Sequence, residues 1–464
     1  MTLTKGRGPA RVLAVCALLG AAGAGLAQTT LSVAQMRAAA GESLRVGAPA
    51  QAEVLAGALL ERDGGDLNAL LIRARALRDL GRLKEARGMA RRAWALSRTD
   101  ADRYATALIT AQVLSTQGKR TRAQFWLRRA VQHAPSPQLE AIARRDFRYL
   151  RARNPWHTQL SFTLAPNSNI NNGSARDRSY LNYRLSEVLF EEPVEFQLQG
   201  AARALSGFEY GAGVQTRYRF AQSATHAHDL SFAASYRTFT LSSRAKANAP
   251  GVSGSDFAFG QVSLGYGFEQ RNLGQRGRFT FGADAGQSFY GGARYASYLR
   301  LSLAQGLLTG KRSQTRLSLD HEWQNGQATS DTTRFGGMLD WSHRRDNGAL
   351  VTLSLGAERT TSPNSDLEYN ALRLRGGAAL ARPVLGADLR VDLGAEIRDY
   401  DVSRHAPGGR RDKRYFMDVT ATFRGIDYYG FSPSVTLQAS TTDSNIGLYD
   451  VNRVGLSLGV RSAF

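Results

Sequence analysis

The sequence predicts an all-α helical-repeat domain followed by a fourteen-stranded antiparallel transmembrane β-barrel. Three observations predict it. Residues 156–464 read as a train of short segments, about ten residues each, in which apolar and polar side chains alternate. Residues 52–134 carry helical periodicity with an internal repeat. Residues 1–27 have the charged start, short apolar core and small-residue finish of a secretory leader.

The leader comes first. Lys5, Arg7 and Arg11 form its charged start, Val12 to Gly20 its apolar core, and Gly25-Leu26-Ala27 the cleavage site, so that Gln28 begins the mature chain. Cys16 is the only cysteine and lies inside that leader, which leaves the mature chain without disulfides or thiolate chemistry. No later stretch is apolar for long enough to span a membrane as a helix. A closed barrel is the other arrangement of backbone that a bilayer tolerates.

Residues 28–155 form the expected helical domain. Leu70, Ala74, Leu77, Gly81, Ala86, Ala90 and Ala93 alternate large, small and turn residues through one helical hairpin. Ala107, Ala111, Leu114, Gly118, Ala123, Leu127 and Ala130 repeat that pattern, and Ala52 and Ala56 begin a partial upstream copy. Small residues let helices approach closely, and glycine closes the tight turn. The pattern resembles a short tetratricopeptide array. Such arrays hold an extended partner in a concave groove. The resemblance puts Asn68, Arg75, Arg78, Asp79, Gln112 and Ser115 on the groove side as a candidate client-binding surface, with plain solvated surface as the competing reading. A capping helix is expected over 138–152, with Leu139, Ile142 and Leu150 packing inward. Asn154-Pro155 stops it, because proline disfavours helix at the residue before it.

From Trp156 the period changes to two. Leu389, Val391, Leu393, Ala395 and Ile397 share one strand face; Asp388, Arg390, Asp392, Glu396 and Arg398 share the other. Fourteen such strands are expected, over 157–165, 207–220, 228–239, 257–269, 277–289, 295–305, 314–323, 333–343, 348–358, 369–380, 387–397, 413–424, 431–440 and 453–464. Charges on a lipid-facing strand face cost about 2–4 kcal/mol each near the midplane, so the charged faces belong to the lumen. There they either brace the wall by pairing or line a wet passage. Connections after even-numbered strands are short and several after odd-numbered strands are long. With periplasmic turns short and outer loops long, this places both chain ends in the periplasm. Trp156, Phe208, Tyr210, Tyr218, Phe220, Tyr415 and Phe423 stand near strand ends, as interfacial girdles do. The last strand alternates up to Phe464 and resembles the signal that barrel assembly machinery reads.

The formal charge is +21, and only six of the sixty basic residues are lysine. The basic residues are spread over both halves, which argues against a nucleic-acid partner. No catalytic, cofactor or metal site is expected. His226 and His228 lie near a turn, and His321 and His343 stand alone on strands. Gly306 to Arg312 is one residue short of a phosphate loop and ends on Arg312 where Ser or Thr is needed.

Two segments remain. The first barrel strand runs into Leu164-Ala165-Pro166-Asn167-Ser168-Asn169-Ile170-Asn171-Asn172, and the last is preceded by Asp443-Ser444-Asn445-Ile446-Gly447-Leu448-Tyr449-Asp450-Val451-Asn452-Arg453. With the helical repeats and fourteen strands, these segments resemble the surface lipoprotein assembly modifier family, the Slam or DUF560 group. Gly447 departs from the proline expected there. The resemblance implies a periplasmic tetratricopeptide domain, an outer-membrane barrel, and delivery of a specific client protein to the cell surface. Outer-membrane lipid and the barrel assembly machinery are then the other partners, and a monomer is expected. Asn and Ser in such segments serve turns. As the first and last strands are neighbours, Asn167, Ser168, Asn169, Ile170, Asn171, Asn172, Ser444, Asn445 and Ile446 meet at the barrel seam, where they either stabilise loops or shape a gate. An exopolysaccharide export barrel with periplasmic repeats and a porin with an accessory domain are the alternative functions. Passage by lumen or by seam stays open.

Overall fold

The computed structural model describes residues 31–192 and 194–462. The proposed leader, with Cys16, and the terminal Phe464 lie outside the described residues. The chain divides into two compact units that meet at Lys119 and Arg120.

Among the described residues the first unit holds five helices: α1 (Val33–Arg45), α2 (Pro49–Arg62), α3 (Leu67–Asp79), α4 (Leu83–Leu96) and α5 (Asp100–Thr116). Side chains at the starts of α1, α3 and α5 satisfy the first backbone N–H groups. Ser32 and Gln35 form a capping box on α1, Thr99 and Asp102 form another on α5, and Asp66 accepts from the Ala69 N–H at 3.0 Å. The small positions of the repeat are the core. Ala52, Ala56, Ala74, Ala86, Ala90, Ala93, Ala107 and Ala111 are all buried, together with Leu70, Leu77 and Leu114. Gly81 and Gly118 turn with φ of +77° and +73°, in the left-handed region that favours glycine. The helix α1 has no counterpart among the sequence expectations. Its Val33 and Met36 pack on the cluster of Leu59, Leu60 and Leu70.

The second unit opens with α6 (Arg120–Gln132) and α7 (Pro137–Arg153). Ser136 caps α7, and Pro137 stands in its first turn. The inward face of α7 is Ala143, Phe147 and Leu150; Ile142 is 38% exposed, contrary to expectation. Phe147 fills the inward position instead, one turn beyond Ala143 on the same face.

Strands begin at Trp156. The barrel consists of β1 (Trp156–Asn167), β4 (Gly207–Gln222), β5 (His226–Leu241), β6 (Phe259–Asn272), β7 (Gly277–Tyr290), β8 (Ala293–Leu308), β9 (Ser313–Gly326), β10 (Thr332–Arg344), β11 (Leu350–Thr361), β12 (Tyr369–Ala379), β13 (Asp388–Tyr400), β14 (Arg410–Thr422), β15 (Phe431–Ser444) and β16 (Val451–Ser462). Two short strands, β2 (Arg178–Tyr180) and β3 (Glu195–Gln197), form a separate ribbon inside the long connection after β1. The same connection carries the helix α8 (Tyr183–Phe190), and α9 (Ser243–Asn248) follows β5. All fourteen barrel strands are antiparallel to their neighbours, and β1 meets β16 to close the cylinder.

The barrel is inside out relative to a soluble protein. On β13, Asp392 and Glu396 are 5% and 6% exposed, whereas Leu393 and Ile397 are 53% and 42% exposed. Leu230, Leu264, Leu303, Leu319, Leu339, Leu355, Leu374 and Leu456 continue the outward apolar band around the wall. Trp156 and Tyr218 pair their rings at 4.6 Å at the proximal end, where α7 enters; Phe208 and Tyr210 pair at 5.2 Å at the distal end. This is the pattern of a wall with hydrocarbon outside and water within.

Candidate functional site at the barrel seam

Ion pairs brace most of the lumen wall. Arg219 grips Asp229 at 2.8 and 3.0 Å, and Arg278 meets Glu269 at 2.7 Å. Arg334 lies 3.3 Å from Asp320 and 3.7 Å from Glu358. Glu396 receives Arg373 and Arg398, each at 2.6 Å, and Asp392 receives Arg390 at 2.7 Å. Arg373, Arg398, Arg414 and Arg453 also line a lumen cavity of about 580 Å³. Both readings of the lumen charges therefore find support in the geometry: most pair across strands, and open space remains beside them.

The bracing stops at the seam. Residues 157–165 of β1, 431–442 of β15 and 454–460 of β16 contain no Asp, Glu, Lys or Arg. Their inward positions are small or neutral, such as Gln159, Ser161, Gln438, Gly455, Ser457 and Gly459.

Backbone pairing is uneven as well. Every residue of β1 from Trp156 to Asn167 is registered against β4. Towards β16 the registered partners are Leu164 with Leu458 and Asn167 with Gly455, both in the distal half. Extending that register would set Phe162 against Val460 and Leu160 against Ser462, and neither pair forms.

The distal end is latched by the two asparagine-bearing segments, which the structure brings together. Asn169 is fully buried; its amide donates to the carbonyls of Gly173 at 2.8 Å and Asn452 at 3.3 Å, and its Oδ1 accepts from the Gly173 N–H at 3.0 Å. Asn167 accepts from the Asn169 N–H and donates to Glu209. Ser168 and Val454 exchange two bonds, at 3.1 and 2.8 Å. Asn171 holds the far end of the long connection by donating to the Ala201 and Arg203 carbonyls. Ile170 packs into a cluster with Leu205, Phe239 and Leu241. Asn172 takes φ of +53° and accepts from Arg453, which also donates to the Asn169 carbonyl. On the other segment, Ser444 donates to Asp412 at 2.7 Å, Asn445 donates to the Gly409 carbonyl, and Ile446 is buried.

Several members of this latch carried no role in the sequence reading. Ser174 donates to the Gly447 carbonyl at 2.6 Å, Arg176 pairs with Asp450 at 2.6 Å, and Ser179 accepts from the Leu448 N–H at 2.9 Å. Gly447 itself is explained by this packing, since a Cβ there would lie 2.8 Å from the Arg178 carbonyl oxygen. His405 ties in a third loop by accepting from the Asn182 N–H at 3.1 Å. Burial, and then the Arg404 cation, hold its pKa below the ordinary value.

At the proximal end α6 and α7 grip the 423–430 turn that joins β14 to β15. Arg128 donates to the Tyr429 and Gly430 carbonyls at 3.0 and 2.9 Å and lies over the rings of Phe431 and Phe147. Burial lowers its pKa to about 10. Gln132 accepts from the Tyr429 N–H at 2.9 Å, and Arg144 reaches Asp427 at 3.3 Å. No pattern in the sequence pointed to this contact.

In the helical unit, Arg78, Asp79 and Gln112 of the candidate groove come together. Arg78 donates to Gln112 at 2.5 Å across α3 and α5 and to Asp79 at 2.6 Å. Asn68 and Arg75 are exposed on α3, and Ser115 is half-buried on α5.

A family model described as surface lipoprotein assembly modifier matches residues 156–464. No curated protein matches the chain. Among solved structures, the chain is similar to the translocator chaperone SycD of Yersinia enterocolitica type III secretion, at 17% identity and a TM-score of 0.24 over 28% of this chain and 96% of that one. It is also similar to OccAB3 of Acinetobacter baumannii, at 9% identity and a TM-score of 0.36 over 65% and 98% of the two chains. A third is a loop-deleted OmpT of Vibrio cholerae, at 10% identity and a TM-score of 0.32 over 67% and 99%.

Proposed function

Because the chain belongs to the surface lipoprotein assembly modifier family, it is an outer-membrane barrel that acts in surface lipoprotein assembly, and we propose that it captures one exported client in the periplasm and delivers it to the cell surface. In this reading residues 28–155 are the periplasmic domain. The face carrying Asn68, Arg75, Arg78, Asp79, Gln112 and Ser115 takes an extended segment of the client, as helical-repeat grooves do. The barrel then moves the client outward, and folding outside makes the step one-way. The barrel assembly machinery inserts the chain, which works as a monomer.

One observation supports this above the others. The wall is a closed cylinder with an apolar exterior and a charged interior, yet along one line, where residues 157–165 of β1 run beside 454–460 of β16, the described residues have neither charged side chains to brace the wall nor full backbone pairing. A general porin needs no such line, and a polysaccharide exporter leaves it without a purpose.

The test follows a co-expressed lipoprotein by protease shaving of intact cells. Loss of this protein is expected to leave the lipoprotein made but protected from protease. Asn68→Ala, Arg75→Ala and Gln112→Ala combined are expected to give the same result, with the barrel inserted and folded. Lipoprotein that stays fully shaveable in the deletion strain sinks the role.

A further inference from the structure

The proximal half of the seam contains a row of backbone groups without partners among the described residues. β1 is fully registered on its β4 side, but among the described residues Leu160, Ser161, Phe162 and Thr163 have no registered partner on β16. Each unpaired N–H or C=O held in hydrocarbon costs several kcal/mol, which is why open sheet edges are not left facing lipid. Residues 157–165 of β1 and 454–460 of β16 carry no Asp, Glu, Lys or Arg that could draw this stretch of wall shut by charge. The distal latch meanwhile holds the two strands together at their other end. The result is a zipper fastened at one end only.

A cavity of about 1050 Å³ extends from this edge across the neighbouring strands β4, β5 and β6. It is roofed by Phe125, Arg128 and Arg151 of α6 and α7 and reaches Leu160 of β1, Phe431 of β15 and Val460 of β16. Apolar surface and two cations thus flank a free strand edge. An edge of this kind recognises a partner strand through main-chain bonds, with pockets on either side for alternate side chains.

We propose that the Leu160–Thr163 edge of β1 is an acceptor for one extended segment of the client, which pairs with it as a temporary extra strand. The occupant is a β-strand rather than an acyl chain, because the vacant groups are amide donors and acceptors, and an acyl chain satisfies none of them. This deepens the translocation role and rests on it for the identity of the strand's source.

The probe is a fluorescent synthetic peptide with the sequence of residues 451–462, whose apolar alternation this edge should accept, added to the full chain in lipid nanodiscs. It is expected to bind, and to crosslink to Phe162→p-benzoylphenylalanine but not to Leu374→p-benzoylphenylalanine, a lipid-facing site on β12. A disulfide between Phe162→Cys and Val460→Cys should cut binding at least tenfold, and reduction should restore it. A disulfide between Leu164→Cys and Leu458→Cys, where the strands already pair, should leave binding intact. No binding of the peptide, or equal crosslinking at both photoactive sites, overturns the proposal. So does preferential capture of an N-palmitoyl peptide that lacks the alternation, which would mark an acyl-chain site. In cells, surface delivery that survives the Phe162–Val460 lock but not deletion of the gene would sink the strand acceptor while leaving the translocation role in place. Delivery that survives deletion removes both.

Discussion

Asn169 shows how much one side chain can hold. It is buried with its amide and its carbonyl oxygen both engaged, and one of its bonds, to the Asn452 carbonyl, spans the two seam segments. Asn169→Ala leaves the Gly173 N–H and two carbonyls without that partner, at a cost of about 1–3 kcal/mol. The expected result is faster hydrogen exchange over 168–176 and 445–454, with the strands opposite the seam unchanged. Gly447→Ala should loosen the same segments by crowding the Arg178 carbonyl. His405 adds a pH dependence. Its pKa in the fold is below the ordinary 6.5, so the neutral ring is the form the fold favours. Its contribution is complete above pH 6.5 and is lost as pH falls towards the lower folded value. Wild-type protein should therefore lose melting temperature as the pH falls below 6.5 relative to His405→Gln, which does not titrate. A constant difference across that range would count against the assignment. The asparagines were legible in the sequence as turn formers, but their partners were not. Bonds such as Ser174 to Gly447 join residues far apart in the chain, and nothing in local spacing announces them.

Elements were legible where one period ran unbroken. All fourteen strands came from alternation, because burial on two different media writes polarity on every second residue. Their ends moved by a few residues, as on β14, which starts at Arg410 rather than 413, since lumen-side and loop-side charges look alike in sequence. The helix α1 was missed because its face is mostly alanine and polar residues, with only Val33 and Met36 to mark it. The grip of α6 and α7 on the 423–430 turn was invisible for another reason. It depends on backbone carbonyls, which every sequence possesses. Arg128→Ala removes two charge-assisted bonds and a cation resting on two rings, at about 1.5–3 kcal/mol for the charged bonds. Hydrogen exchange over 120–153 and 423–430 should rise together while the strands stay protected. Exchange rising in the helices alone would mean that the contact does not hold them.

At the scale of the molecule, the barrel relies on charge pairs that face inward and are shielded from lipid. Glu396 sits between Arg373 and Arg398 and is nearly inaccessible. Glu396→Gln leaves two guanidinium groups without their shared carboxylate, and breaking such a buried set costs about 3–5 kcal/mol. The temperature at which the folded form is lost on unheated gels should fall, and the effect should exceed that of any single substitution within residues 157–165 of β1 or 454–460 of β16, which carry no charge. The distal latch has a further consequence for how the molecule is made. Its two halves, residues 167–176 and 444–454, are drawn from the start and the finish of the cylinder. A ribosome must therefore have released almost the whole polypeptide before the clasp can fasten. A product cut short ahead of Ser444 has an opening hairpin and nothing to button it to, so the cell is offered a built-in distinction between finished cylinders and fragments.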